Sequence, residues 1–196
     1  MEKKSIGPEN KFCPQTLFLY GTYKEDGTPN FGLFCWLSYC WDAELGVMAC
    51  IGGEKLTKDR IRVSKVFSAN LVSESLLPLA DYLGNTEGYT PEKMDIPIES
   101  ERGMVLDVPV LKNSPWAFEL EVQQSVPLHD GEVFFCKIRN TLVAKELTDD
   151  SISAEQRLRM TAPVAWIGEG SYLSLKHTAL GKAGDWKNLF CKQKQG

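Results

Sequence analysis

The stretch GTPNFGLFCWLSYCW, Gly27 to Trp41, opens like a tight turn and then runs through Phe31, Leu33, Phe34, Cys35, Trp36, Leu37, Tyr39 and Trp41 with little polar between them. A surface hairpin strand alternates apolar with polar residues, because successive side chains point to opposite faces of the sheet. A strand that is apolar on both faces belongs where each side is covered. Residues 30–37 therefore read as a strand with one face in a barrel core and the other against a second subunit or a flat ligand. Either placement buries Trp36, and plain core packing of Phe34 and Trp36 is the alternative.

Outward from this stretch, TLFLYGTY (16–23) reads as the preceding strand and KEDGTP (24–29) supplies Asp-Gly turn chemistry, so a β-hairpin is expected. GVMACI (46–51) reads as a third strand, followed by Gly52-Gly53 and by EKLTKDRIRVSK, where Thr57 is a candidate N-cap of a short helix. VFSANLV (66–72) returns to strand, and SESLLPLADYLG (73–84) suits a helix capped by Ser73 despite Pro78. Residues 85–103, with Gly88, Pro91 and Pro97, read as an irregular excursion. AFELEVQQSV (117–126) alternates with period two, and GEVFFCKIRNTLVAKEL (131–147) reads as a long strand opened by the turn Asp130-Gly131. Many strands with few short helices predict a mainly antiparallel β fold, a barrel rather than a doubly wound sheet. The phosphate loops GxGxxG and GxxxxGK[ST] are absent, so a nucleotide would be held some other way.

The chain has 196 residues, enough for one sizeable core, and reads as one domain over 1–196. Its 22 Lys and Arg stand against 26 Asp and Glu, a formal charge of -4 that offers no field for gripping nucleic-acid phosphates. No apolar run approaches the roughly 20 residues that cross a bilayer, and no apolar h-region follows the basic start MEKKSIGPENK, so a cytoplasmic, membrane-free protein is expected. Cysteines at 13, 35, 40, 50, 136 and 191 lack CxxC spacing and read as free thiols rather than metal ligands or a disulfide framework. His129 and His177 have no neighbour at a spacing that suggests a triad or a metal site, and Asp149-Asp150 reads as capping before a helix.

The strongest candidate for chemistry is IGGEKLTKDRIR (51–62). A helix start after a glycine turn presents unpaired N–H groups and a partial positive charge, and Lys55 and Thr57 add an ammonium and a hydroxyl suited to phosphate. From Glu54 to Lys65, five basic residues (Lys55, Lys58, Arg60, Arg62, Lys65) face two acidic ones (Glu54, Asp59). An ordinary capped surface helix with solvated charges is the competing reading.

The order DGTPNFGLFCW, IGGEKLT before KDRI, and VFSANL ending near Asn70 resembles the flavin reductase-like family, which includes the flavoredoxins and folds as an FMN-binding split barrel. DYLGNTEGYTPEKMD (81–95) is similar to a family segment at Tyr82, Gly84, Gly88 and Lys93, and YLSL (172–175) looks like its closing Tyr motif; the resemblance spans about residues 7–184. It implies a homodimer of split β-barrels with FMN near the interface. Its site residues would be Asn30, Phe34, Cys35, Trp36, Ser38, Tyr39, Cys40, Lys55, Thr57 and Lys93. Lys55 and Thr57 would take the phosphate, and the ring would lie along Phe34 to Cys40, with backbone N–H groups of residues 38–40 at its polar edge. Leu33 and Cys35 stand where the family usually has Thr and a small residue. The implied activity is that of an FMN-dependent oxidoreductase drawing on NAD(P)H, with no protein nucleophile required. A flavoredoxin-like electron carrier with a protein redox partner and a barrel without flavin are the alternatives.

Overall fold

The computed structural model describes residues 1–11, 13–168, 170–176, 178 and 180; His177 and Cys191 lie outside the described residues. The opening stretch folds as two strands rather than one. β2 (Phe18–Tyr23), after the short β1 (Gln15–Thr16), pairs with β3 (Pro29–Phe34) as the expected hairpin. The chain then breaks at Cys35-Trp36 and restarts as β4 (Leu37–Asp42), which forms its own hairpin with β5 (Glu44–Gly52) about Ala43 at φ 59°. β6 (Val66–Leu71), β9 (Trp116–Leu128) and β10 (Gly131–Val143) complete a seven-stranded antiparallel sheet in the order β3-β2-β6-β9-β10-β5-β4.

β3 and β4 are thus opposite edges of one sheet, joined by two residues. Three peptide steps reach at most about 11 Å, so the edges are held near one another and the sheet must curl into a barrel with a split between them. This also answers the missing alternation. Along β3 the odd positions Phe31 and Leu33 pack on one apolar cluster with Leu17, Leu19 and α2 (Leu77–Asn85). Phe34 packs on the barrel core with Tyr20, Phe67 and Phe134, its ring stacked on Tyr20 at 4.6 Å. Both faces of β3 are covered by the chain itself. Trp36, expected to be buried, is 49% exposed, because it lies in the crossing rather than in a strand.

The first helix, α1 (Leu56–Ser64), is capped at Lys55, whose backbone is extended, so Thr57 is not the N-cap but lies buried in the first turn. α2 follows a 3-10 turn at Glu74–Leu76, and it tolerates Pro78 because proline in the first turn removes an N–H that has no helical partner. Residues 85–103 contain a 3-10 turn at Pro91–Met94 and a strand, β7 (Ser100–Arg102), paired with β8 (Pro109–Leu111). The long strand after Gly131 ends at Val143, short of 147, and α3 (Ala154–Thr161) is capped not by Asp149 or Asp150 but by a Ser153–Gln156 capping box. β11 (Val164–Ile167) and β12 (Ser171–Ser174) join β1 in a small second sheet over the α2 cluster.

Two buried polar side chains stitch the segment after α2 onto the barrel. Asn70 donates to Leu19 O at 2.9 Å and to Ser68 Oγ at 2.8 Å, and accepts from Leu111 N at 2.9 Å, joining β6, β2 and β8. Glu119 in β9 is fully buried and accepts from the N–H groups of Met104, Val105 and Leu106 and from Asn140 Nδ2, at 2.6–3.0 Å. Burial alone would raise its pKa; these hydrogen bonds outweigh it and hold the carboxyl below the usual range. A carboxyl depressed in the fold contributes stability above its unfolded value, near 4.3, that is lost as pH falls through the folded value. Glu119→Gln should therefore lower stability at pH 7 by about 2–3 kcal/mol, the scale of hydrogen bonds to a charged group. In urea titrations this deficit should shrink toward pH 3.

Candidate functional site

The glycine turn before α1 passes through Gly53 at φ 64°, a left-handed conformation that costs a side chain strain. Lys58, 1% exposed, donates to Gly53 O and to Glu54 Oε1, fixing the turn against the helix. Its ammonium is spent internally. Arg60 pairs with Glu25, and Arg62 with Asp59 and Glu132. The basic excess read between Glu54 and Lys65 is thus largely absorbed by carboxylates, and Lys55 is the member of that set that lines the cleft beside the helix start.

That cleft holds about 30 Å³ and is lined by Gly32, Leu33 and Phe34 of β3, the N-cap Lys55 with Leu56 and Thr57 of α1, and Leu83, Gly84, Thr86, Glu87 and Gly88 at and after the end of α2, with Lys93 from the 3-10 turn. Thr57 Oγ1 accepts from Asn30 Nδ2 at 3.1 Å, which leaves its own proton to donate. Asn30 is fully buried behind it, and Asn30 Oδ1 has no hydrogen-bond partner. A Cβ on Gly32 would stand 2.9 Å from Thr57 Oγ1 and 2.9 Å from the Phe34 ring, so glycine there keeps the hydroxyl accessible. Gly84 and Gly88 make similar room, for Leu33 and Leu56.

Lys93 is the feature that spacing does not reveal as special. It is 3% exposed, and while its backbone N–H donates to Thr90 O at 3.2 Å, its ammonium makes no hydrogen bond or ion pair with any described residue. Burial, the largest influence, pushes its pKa down to about 8, with Glu87 raising it and Lys55 and Lys24 lowering it. Glu87, inside the segment read as irregular, sits 3.6 Å from Lys55 Nζ and was not a candidate. A carboxylate among 85–103 carries no sequence signal until the fold lays that segment against α1.

The other candidates fall elsewhere. Cys35 lines a neighbouring cleft of about 190 Å³ with Leu17, Leu33, Phe34, Trp166 and Tyr172, whose O–H donates to Asp81 Oδ1 at 2.6 Å. Cys40 lines a separate cleft of about 410 Å³ with Trp41, Gly46 and Lys137. Cys50 N–H donates to Trp36 O, so by antiparallel alternation Ser38 and Cys40 turn their amides to β5, and Leu37, Tyr39 and Trp41 turn theirs to the open edge. Of residues 38–40, Tyr39 alone offers a free N–H; its ring is half exposed, edge-on to Phe118 at 6.2 Å. Burial raises the thiol pKa of Cys35 and Cys50 and takes Cys136 up to about 12, so these are not thiolates at neutral pH. Among the described residues no cluster of three His, Cys, Asp or Glu stands ready for a metal, and no helix is long and apolar enough to cross a membrane.

A family profile described as the flavin reductase like domain matches residues 11–169. The chain belongs to the flavin reductase-like family. The fold agrees: a flavoredoxin of Desulfovibrio vulgaris (Miyazaki F) superposes with a TM-score of 0.83 at 24% identity, covering 94% of this chain and 98% of that one. A flavoredoxin from Methanosarcina acetivorans gives 0.84 at 18% identity, with 97% and 100% covered. An FMN-binding protein from Thermus thermophilus, with bound p-hydroxybenzaldehyde, gives 0.74 at 17% identity, with 93% and 98% covered. No curated protein matches the chain significantly. For this flavin reductase-like domain, the unpaired ammonium of Lys93 is a local cost to folding. Lys93→Met should raise stability at pH 7 by about 1–3 kcal/mol, the scale of partly desolvating an ammonium, and the gain should shrink between pH 8 and 10 as the wild-type amine discharges. Thermal melts at pH 7 and pH 10 read both effects.

Proposed function

We propose that this chain binds FMN with its phosphate at the amino end of α1 and works as an FMN-dependent oxidoreductase drawing reducing equivalents from NAD(P)H. The observation that carries the reading is the cleft itself, in which two lysines, an available hydroxyl and the start of a helix converge over a glycine. Those groups fit a phosphate, since helix N–H groups and ammoniums favour an anion and the missing Cβ at Gly32 makes room for the Thr57 hydroxyl beside them. As it stands the cleft has room for about two waters, so a phosphate would displace the solvated Glu87 from Lys55. Phe34 and the open edge of β4, with Tyr39, Trp36 and the free amides of 37, 39 and 41, offer apolar contact and donors to a flat ring. Leu33 and Cys35 supply apolar surface where the family usually has Thr and a small residue. Bound FMN would supply the electron-transfer chemistry; the protein's residues hold and orient it and exclude water.

A homodimer is part of the same reading. The outer face of β5, β10 and β9 carries Met48, Cys50, Val133, Phe135, Val126 and Leu128, and Trp36 lies over Gly52 beside them. An apolar sheet face of this kind marks a protein contact. The Val126→Glu/Leu128→Glu variant should sediment as a monomer where the wild type sediments as a dimer. The cytoplasmic setting expected from the free thiols goes with this reading.

Titration of the purified protein with FMN, followed by flavin absorbance, should saturate at one per chain. Lys55→Ala should weaken that binding by about 1.5–3 kcal/mol, the scale of a charged hydrogen bond. An unchanged FMN dissociation constant in that variant sinks the phosphate assignment. The flavoredoxin-like reading, an electron carrier with a protein partner, draws support from the exposed aromatics Trp36, Tyr39 and Trp41. Steady oxidation of NADH or NADPH by the FMN-loaded protein decides for the enzyme, and its absence for the carrier.

A further inference from the structure

The two lysines of the α1 cleft sit in unlike settings. Lys55 keeps 42% of its side chain in water and has a counter-ion in Glu87. Lys93 is 3% exposed, its ammonium has no partner among the described residues, and the residue lines the same cleft. The charged groups acting on it come from three directions: Glu87 from the loop after α2, Lys55 from α1 and Lys24 from the β2–β3 turn. A buried ammonium without an anion is costly, and an anion beside it removes most of that cost.

We propose that the cleft takes a phosphomonoester together with a proton: as the anion enters, Lys93 Nζ picks up H⁺ from solvent and becomes the ammonium that faces it. This rests on the FMN reading and adds its regulation by pH. Free Lys93, with its pKa lowered to about 8, is half charged there. A dianion at contact distance favours the charged form, so the complex binds more protons than its free components and affinity falls as pH rises above 8. Below about pH 6 the phosphate itself takes a proton and loses charge, so binding should be strongest between the two limits.

Isothermal titration of the full chain with FMN, in buffers of differing ionisation enthalpy, reads the proton count directly. Net uptake should be close to zero at pH 7, where the proton leaving the phosphate offsets the one Lys93 gains, about 0.5 at pH 8 and about 0.9 at pH 9, with affinity about fivefold weaker at pH 9 than at pH 8. Inorganic phosphate should show the same alkaline loss of affinity between pH 8 and 9. Riboflavin, which has the ring without the phosphate, should bind with no linked proton. Lys93→Arg keeps its charge at every pH in this range, so its FMN affinity should stay flat from pH 7 to 9. Lys93→Met should bind FMN more weakly at pH 7, again without alkaline loss. FMN binding with no proton uptake at pH 9, or equal uptake with riboflavin, overturns the inference and leaves the FMN reading standing. Failure to bind FMN at any of these pH values overturns both.

Discussion

The two residues between β3 and β4 are the constraint on which the rest of this molecule depends. Because Cys35 and Trp36 must span the gap between the first and last strands of a seven-stranded sheet, the sheet cannot lie open. Closure gives the barrel an interior for Tyr20, Phe67, Leu120 and Phe134, and it turns the opposite face of β2 and β3 toward α2 and the small sheet. The chain is therefore apolar on both faces of β3 for a reason internal to the fold. The same crossing sets Trp36 at the surface and leaves the outer amides of β4 without a strand partner.

The cleft at the start of α1 follows from that closure. α2 covers the Phe31 and Leu33 face of β3, α1 meets the Gly32 and Phe34 face, and Gly32 lets the Thr57 hydroxyl come up against the sheet. Electrostatics then separate the lysines by task. Lys58 is consumed in bracing the Gly53 turn, Lys55 is paired with the exposed carboxylate of Glu87, and Lys93 is buried with no partner for its ammonium among the described residues. A charge count over the helix does not distinguish these roles, since they are set by which carboxylates the fold brings near.

The sequence carried the strand inventory well, because period-two patterning and Asp-Gly turn chemistry are local signals. The β2–β3 hairpin, β6, β9 and the family order around DGTPN and GGEKLT were all legible. The break at Cys35-Trp36 was not, since no glycine, proline or polar residue marks it and both flanks are equally apolar. Thr57 looks like a cap because a threonine after a glycine turn often is one; its hydroxyl instead accepts from Asn30 Nδ2. Lys55, Thr57, Phe34 and Lys93 do line one cleft, whereas Ser38 and Cys40 turn their amides to β5, which follows only once β4 is known to pair there. Glu87 and the Glu119 nest depend on contacts between segments distant in sequence, and no spacing announces them.

The central claim is that the amino end of α1 holds the phosphate of FMN. The most direct test is backbone amide NMR of the labelled protein titrated with FMN and, in parallel, with riboflavin. FMN should shift the amides of Leu56, Thr57 and Lys58 and the flank at Gly32, and riboflavin should leave the α1 amides in place while moving those of the β4 edge. Shifts confined to the cleft around Trp41 and Lys137, with α1 unmoved by FMN, would contradict it.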